Sequence, residues 1–245
     1  MTLNTASVTI SDYDRVMEEM EQPGVAELFE AARLYNEHLY YGTAEEGEDR
    51  CLNETSEVIC YLDIPKISVY LPVYYGTSDE VLMKGCGYIE KTSLPVGGVN
   101  TNAGMSGHTG LPGAELLSKL DQLKEKDYFY VHILGEILAY QVEMIKVVEP
   151  DEAADLEIIP GKDCVTLVTC TPYGINSHRL LVRGERVPYE VEQTQIVDAK
   201  EQVRSGMSKA IMRQWIVIAV ILVSAAGVVL MAMLYNRKLK QENGS

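Results

Sequence analysis

Hydrophobic positions along this 245-residue chain change their period part-way. Between residues 12 and 41, Val25, Leu28, Phe29, Ala32 and Leu39 are spaced to fill one face of a helix, which Pro23-Gly24 divides into two pieces. A polar, acidic stretch over 42–57 reads as a loop or flap. From Lys66 the period becomes two: Ile67, Val69, Leu71 and Val73 alternate with Lys66, Ser68, Tyr70 and Pro72, so a β region begins there. Residues 128–134 and 137–148 are two further strand-like runs around Gly135-Glu136, which predicts a hairpin. Residues 165–170 and 179–187 form a last pair. Between the first strand and the hairpin lie a Gly/Asn/Thr/Ser-rich loop over 96–113 and a short helical signal over 114–123. Loops of that length tend to carry function. Short strands with Gly and Pro turns predict a mainly β barrel or sandwich.

The C-terminal pattern is different. From Trp215 to Leu234 no residue is charged, and at a helical rise of about 1.5 Å per residue that run spans the roughly 30 Å hydrocarbon layer of a membrane. The expected organisation is a helical segment over 1–42, an acidic flap over 43–57, a β-barrel domain over 58–190, a polar linker over 191–213, a transmembrane helix over 214–235 and a basic tail over 236–245. Arg237, Lys238 and Lys240 follow the span, but Lys200, Arg204, Lys209 and Arg213 precede it, so charge alone leaves the orientation open. Residues 1–10 hold neither a basic region nor an apolar stretch of signal-peptide length. Either a cytoplasmic domain or a trimmed start fits that.

Charge narrows the function classes. The formal net charge is −15, and residues 1–60 carry −11 of it, with fourteen Asp/Glu against three Arg. A surface of that sign is a poor partner for phosphate backbones, so nucleic-acid binding is excluded. The glycines near 97–107 are followed by no Gly-Lys-Ser/Thr, so nucleotide binding is unsupported and no cofactor is expected. Five cysteines, Cys51, Cys60, Cys86, Cys164 and Cys170, lack zinc-type C-x-x-C spacing, and their odd number leaves at least one thiol free. A local Cys51–Cys60 bridge is conceivable if the domain is extracellular.

Cys170 ends an apolar strand and opens a loop with Pro172 and Gly174, a place that suits a nucleophile. A thiolate there needs a neighbouring cation or base, and His178 and Arg179 are close in sequence. His108 sits among glycines in Ser106-Gly107-His108-Thr109-Gly110, where a packed core role is unnatural. His38 and His132 fall within periodic segments and read as structural or solvated. Arg179 and Arg183 share one face of a strand with Leu181 between them, and either could stabilise an oxyanion.

The segment Thr166-Leu167-Val168-Thr169-Cys170-Thr171-Pro172-Tyr173-Gly174, continuing through His178-Arg179-Leu180-Leu181-Val182-Arg183-Gly184, resembles the active-site signature of sortases. With Ser106-Gly107-His108-Thr109-Gly110-Leu111-Pro112 and Thr92-Ser93-Leu94-Pro95-Val96-Gly97-Gly98 it is most similar to the class C, pilus-assembling sortases. The resemblance implies an eight-stranded β-barrel with an added N-terminal helical segment, anchored to a Gram-positive membrane with the catalytic domain outside. It makes Cys170 the nucleophile, His108 the general acid/base and Arg179 the stabiliser of the substrate carbonyl, with Thr169 and Thr171 as substrate contacts. The implied substrates are pilin or surface proteins with an LPxTG-like sorting signal, and the implied acceptor is a pilin lysine amine. A peptidoglycan-precursor amine as acceptor, or a non-catalytic membrane-anchored assembly module, are the competing readings. Two departures stand out: residues 42–57 lack the Asp-Pro-aromatic lid motif usual in class C, and Thr109 replaces the customary arginine after the histidine.

Overall fold

The computed structural model describes residues 3–189 except 21, 55, 110–115 and 153. Helix α1 spans Leu3–Glu19 and α2 spans Gln22–Tyr41. The break falls before Pro23-Gly24 instead of at it, because the first turn of a helix has free N–H positions where proline loses no bond. Phe29 and Ala32 are buried as their spacing predicts, and Tyr35 and Asn36 extend that face. Asn36 docks α2 onto the barrel by bonding both backbone groups of Leu94, giving its Nδ2 hydrogen to the carbonyl (3.0 Å) and accepting from the N–H (2.7 Å). On α1, Tyr13 gives its hydroxyl hydrogen to Ile59 O (3.2 Å) and accepts from Leu134 N (2.9 Å).

Eight strands follow: β1 (Val58–Ile64), β2 (Val69–Tyr75), β3 (Cys86–Tyr88), β4 (Thr101–Ser106), β5 (Tyr128–Ile133), β6 (Glu136–Val148), β7 (Asp163–Thr171) and β8 (His178–Val187). A short helix α3 (Asp79–Lys84) precedes β3. The strands close into a barrel in the order β1-β2-β3-β4-β7-β8-β6-β5. The β2–β3 and β4–β7 pairs are parallel and the others antiparallel. Closure removes sheet edges and leaves an interior filled by side chains such as Leu62, Met105, Phe129, Tyr140, Val165 and Leu167.

Several expectations from the pattern change. The β region opens earlier than Lys66, with β1, and residues 65–67 form a 3₁₀ turn between β1 and β2. The expected loop over 96–113 contains β4, whose first five residues are buried although they are Thr, Asn, Ala, Gly and Met. Of the helical signal over 114–123, the described residues 116–123 form turns with one 3₁₀ turn at Leu120–Gln122; Leu116, Leu117, Leu120 and Leu123 are buried, but Leu117 N bonds to His108 O (3.2 Å) instead of continuing a helix. The hairpin turn is Leu134-Gly135, one residue earlier than read, with φ of 50° and 79°, the two positive values a type I′ turn requires. The acidic flap contains a 3₁₀ segment (Glu48–Glu54) whose Asp49 and Leu52 are buried. None of the described helices is long and apolar enough to cross a membrane. The linker, the apolar run 214–235 and the basic tail lie outside the described residues.

Candidate active site

The outer surface of the sheet formed by β4, β7 and β8 carries the candidate chemistry. Alternation along β7 sends Val165, Leu167 and Thr169 inward and Thr166, Val168 and Cys170 outward. Antiparallel register sets Cys170 opposite Arg179 and Val168 opposite Leu181. Parallel register sets Ser106 beside Val168, so the chain leaving β4 passes the end of β7 with His108 two residues on.

His108, Cys170 and Arg179 all line one groove of about 360 Å³. Its apolar part is Val168, Leu181 and Val148, which form a small cluster outside the barrel core together with Ile89 and Leu156. Pro150 and Glu152 come from the β6–β7 connection, and Thr77 and Leu82 from the far wall. A larger cleft of about 930 Å³ lies between α2, the acidic flap, Tyr75 and Glu90. Carboxylates and Arg50 line it, but neither cysteine nor histidine does.

The loop that presents His108 is held from beneath. Gly107 N bonds to Val168 O (3.0 Å), and Thr169 gives its hydroxyl hydrogen to Gly107 O (2.7 Å). A Cβ at Gly107 would come within 2.8 Å of Leu117 and 3.2 Å of Cys86 Sγ, so only glycine lets the backbone lie this close. Thr169 is therefore a buried support of this loop, and neither it nor Thr171 is among the residues that line the groove.

The other cysteines are placed for packing. Burial pushes the Cys86 and Cys164 thiols up to about 12 and the Cys60 thiol upward as well, so they stay protonated near neutrality. None of the five cysteines is in a disulfide, Cys51 and Cys60 included, and Cys170 alone of them lines the groove. The other histidines are turned elsewhere. His38 pairs with Glu48 (2.6 Å), His132 stacks on Tyr61 with centroids 4.3 Å apart, and His178 faces Glu149 (3.3 Å) and Ser177 (2.8 Å).

These features are arranged on a chain whose residues 62–187 match the sortase-domain family model. The chain belongs to the sortase family. Sortase C of Clostridium perfringens, solved with its C-terminal cell wall sorting motif, is 49% identical, with a TM-score of 0.71, over 75% of this chain and 100% of that one. Sortase C1 of GBS Pilus Island 1 is 41% identical, with a TM-score of 0.71, over 75% and 93%. Both are class C sortases, in keeping with the likeness of the motifs. Sortase A of Bacillus anthracis is 29% identical over 134 residues, 55% of this chain and 62% of that protein. Sortase A of Streptococcus agalactiae is 30% identical over 131 residues, 52% of each. The chain thus spans less than two thirds of these curated relatives.

Within the sortase barrel the two arginines of β8 have different surroundings. Arg183 Nε bonds to Glu143 Oε1 (2.8 Å), and Glu143 also accepts from Lys162, which reaches Glu185 at 2.7 Å. Burial opposes ionisation of Glu143, but the bonds from Lys162 and Arg183 outweigh it and hold the carboxyl below its usual range. Arg179 has no carboxylate partner among the described residues. Its Nη1 donates only to the backbone carbonyls of Asn176 (3.3 Å) and His178 (3.1 Å). Strand alternation alone could not separate the two, since both lie on one face of one strand, and only the family resemblance favoured Arg179; the separating feature, Glu143, is forty residues away.

The described residues of the acidic flap pack away from the groove, against Tyr75. Asp49 accepts from the Tyr75 hydroxyl (2.8 Å), and Arg50 lies over the Tyr75 ring, 5.0 Å from its centroid. No described residue of 43–57 lines the groove.

Proposed function

We propose that this sortase is a membrane-anchored cysteine transpeptidase of the class C type, which cuts an LPxTG-like sorting signal between Thr and Gly and passes the acyl group to a lysine amine on a pilin subunit. The observation that carries the reading is the meeting of His108, Cys170 and Arg179, from three separate elements, in one groove with an apolar floor. The apolar Leu and Pro of a sorting signal suit Val168, Leu181, Val148 and Leu156, and the scissile carbonyl then lies toward the strand end where Cys170 and Arg179 face each other.

The Cys170 thiolate attacks the Thr carbonyl carbon. Negative charge develops on the oxygen, and Arg179, with no carboxylate partner among the described residues, donates hydrogen bonds to it. As the C–N bond breaks, His108 gives a proton to the departing glycine amine, leaving a thioester on Cys170. The acceptor amine then loses a proton to His108 and attacks the thioester. An amide forms and the thiolate is released. The uncharged run 214–235 tethers the catalytic domain on the outer side of the membrane, which raises the local concentration of substrates anchored in the same surface.

A wall-anchoring enzyme would share every step up to the thioester and differ only in the amine. The deciding experiment gives the full chain a donor peptide with either a lysine-bearing pilin fragment or a peptidoglycan-precursor amine, and reads the product by tandem mass spectrometry. An isopeptide bond to the pilin lysine is the expected product. Exclusive transfer to the precursor amine would replace the acceptor, and no cleavage of any signal variant by the folded protein would overturn the enzyme reading.

A further inference from the structure

Among the described residues, the groove wall made by the β6–β7 connection has one regular element, a 3₁₀ turn at Ala154–Leu156, and that turn contains no buried residue. Yet Leu156 packs against Val148, Val168 and Leu181 on the groove floor, so its position sets the shape of the apolar part.

A side chain from beneath holds this turn. Asn102, on β4 and fully buried, donates from Nδ2 to Asp155 O (3.3 Å) and to Glu157 O (3.1 Å). These are the carbonyls on either side of Leu156. The amide cannot turn over without loss, because Oδ1 accepts the hydroxyl hydrogen of the equally buried Thr166 (2.8 Å). A neutral amide gives both Nδ2 hydrogens to one target and keeps its oxygen for the other. At the solvent side Lys146 adds a bond to the Asp155 carboxylate (2.6 Å), an exposed contact that stabilises little by itself.

We infer that Asn102, oriented by Thr166, is a positioning residue for donor-peptide recognition: it fixes the backbone around Leu156 and thereby the apolar wall that receives the sorting signal. It touches neither Cys170 nor Arg179 nor His108. Its loss therefore acts on substrate binding and leaves the nucleophile intact. This rests on the sortase reading of the groove.

The test compares Asn102→Asp with Thr166→Val in the full chain. Asp keeps an acceptor for Thr166 but presents oxygen to the two carbonyls, so the tether is lost. For Asn102→Asp the KM for an LPxTG-type peptide rises about tenfold while kcat stays within about twofold, and the rate at which iodoacetamide alkylates Cys170 is unchanged. For Thr166→Val, which frees the amide to turn, the KM rise is about threefold. An unchanged KM in a folded Asn102→Asp protein, or a fall in kcat and alkylation together at constant KM, overturns the inference. If Asn102→Asp does not fold, Thr166→Val decides by the same KM criterion. Should the parent protein cleave no peptide, the sortase reading fails first, and amide hydrogen exchange then decides the tether. Faster exchange confined to 149–161 in Asn102→Asp supports it, and unchanged exchange there refutes it.

Discussion

Arg179 and Arg183 lie four residues apart on the same face of β8, and they have opposite settings. Arg183 is only 15% exposed and is locked to Glu143, which is shared with Lys162, so its charge is spent on joining β6, β8 and the start of β7. Arg179 stands near the Cys170 end of the same strand, opposite Cys170, where its guanidinium donates to two backbone carbonyls and has no carboxylate partner among the described residues. The strand supplies two equal cations, and the neighbouring carboxylate decides which one is available to a substrate. A cation without a carboxylate partner at the edge of an apolar groove can meet charge that appears during a reaction, whereas an ion-paired one would first have to break its pair.

The contrast can be broken most severely at its near end. Cys170→Ala removes the nucleophile, and donor cleavage followed by peptide chromatography falls to background. Next in size, Arg179→Gln lowers kcat about 10²–10³-fold by removing oxyanion donors, while the melting temperature moves by less than about 2 °C. Arg183→Gln reverses the pattern: steady-state kinetics stay within about twofold of the parent, and calorimetry shows a loss of about 1–3 kcal/mol because Glu143 keeps only Lys162. If Arg183→Gln cost turnover and Arg179→Gln cost stability, the assignment of the two arginines would be inverted.

A smaller effect sets the pH range in which the comparison should be made. On β5, two strands from β8 in the barrel order, burial lowers His132 from 6.5 to about 4. The imidazole is neutral in the folded protein at pH 7. As the pH falls below 6.5 the unfolded chain takes up a proton first, so stability declines down to pH about 4, by at most about 3 kcal/mol. Denaturant titrations at pH 7 and pH 5 read this loss, and His132→Gln flattens it. Assays of the arginine variants above pH 6.5 are free of it.

Much of this was legible in the chain. Period two reveals β2, while β5, β6, β7 and β8 stand out as strand-like runs between Gly and Pro turns, and Cys170 stands at the end of one. The sequence motifs likewise point to His108, Cys170 and Arg179 before any distance is known. What stayed hidden has physical reasons. Strand β1 is buried on both faces, with only Asp63 half-exposed, so it shows no alternation. Strand β4 is built from small and polar residues because it lies between the core and the outer connections, where Gly104 and Asn102 admit close neighbours; its composition mimics a loop. Residues 116–123 keep helical spacing without a helix, since their leucines fill the space under the His108 loop. Asn102 carries no local signal of its role, which depends on two carbonyls more than fifty residues away.

The central claim is that the groove holding Cys170, His108 and Arg179 forms an acyl-enzyme, and intact mass spectrometry of the full chain after exposure to an LPxTG-type peptide tests it most directly. The account predicts one adduct whose mass equals the peptide up to its Thr less one water, mapped by digestion to the peptide containing Cys170 and absent from Cys170→Ala. An adduct on another cysteine, or one that persists in Cys170→Ala, would contradict it.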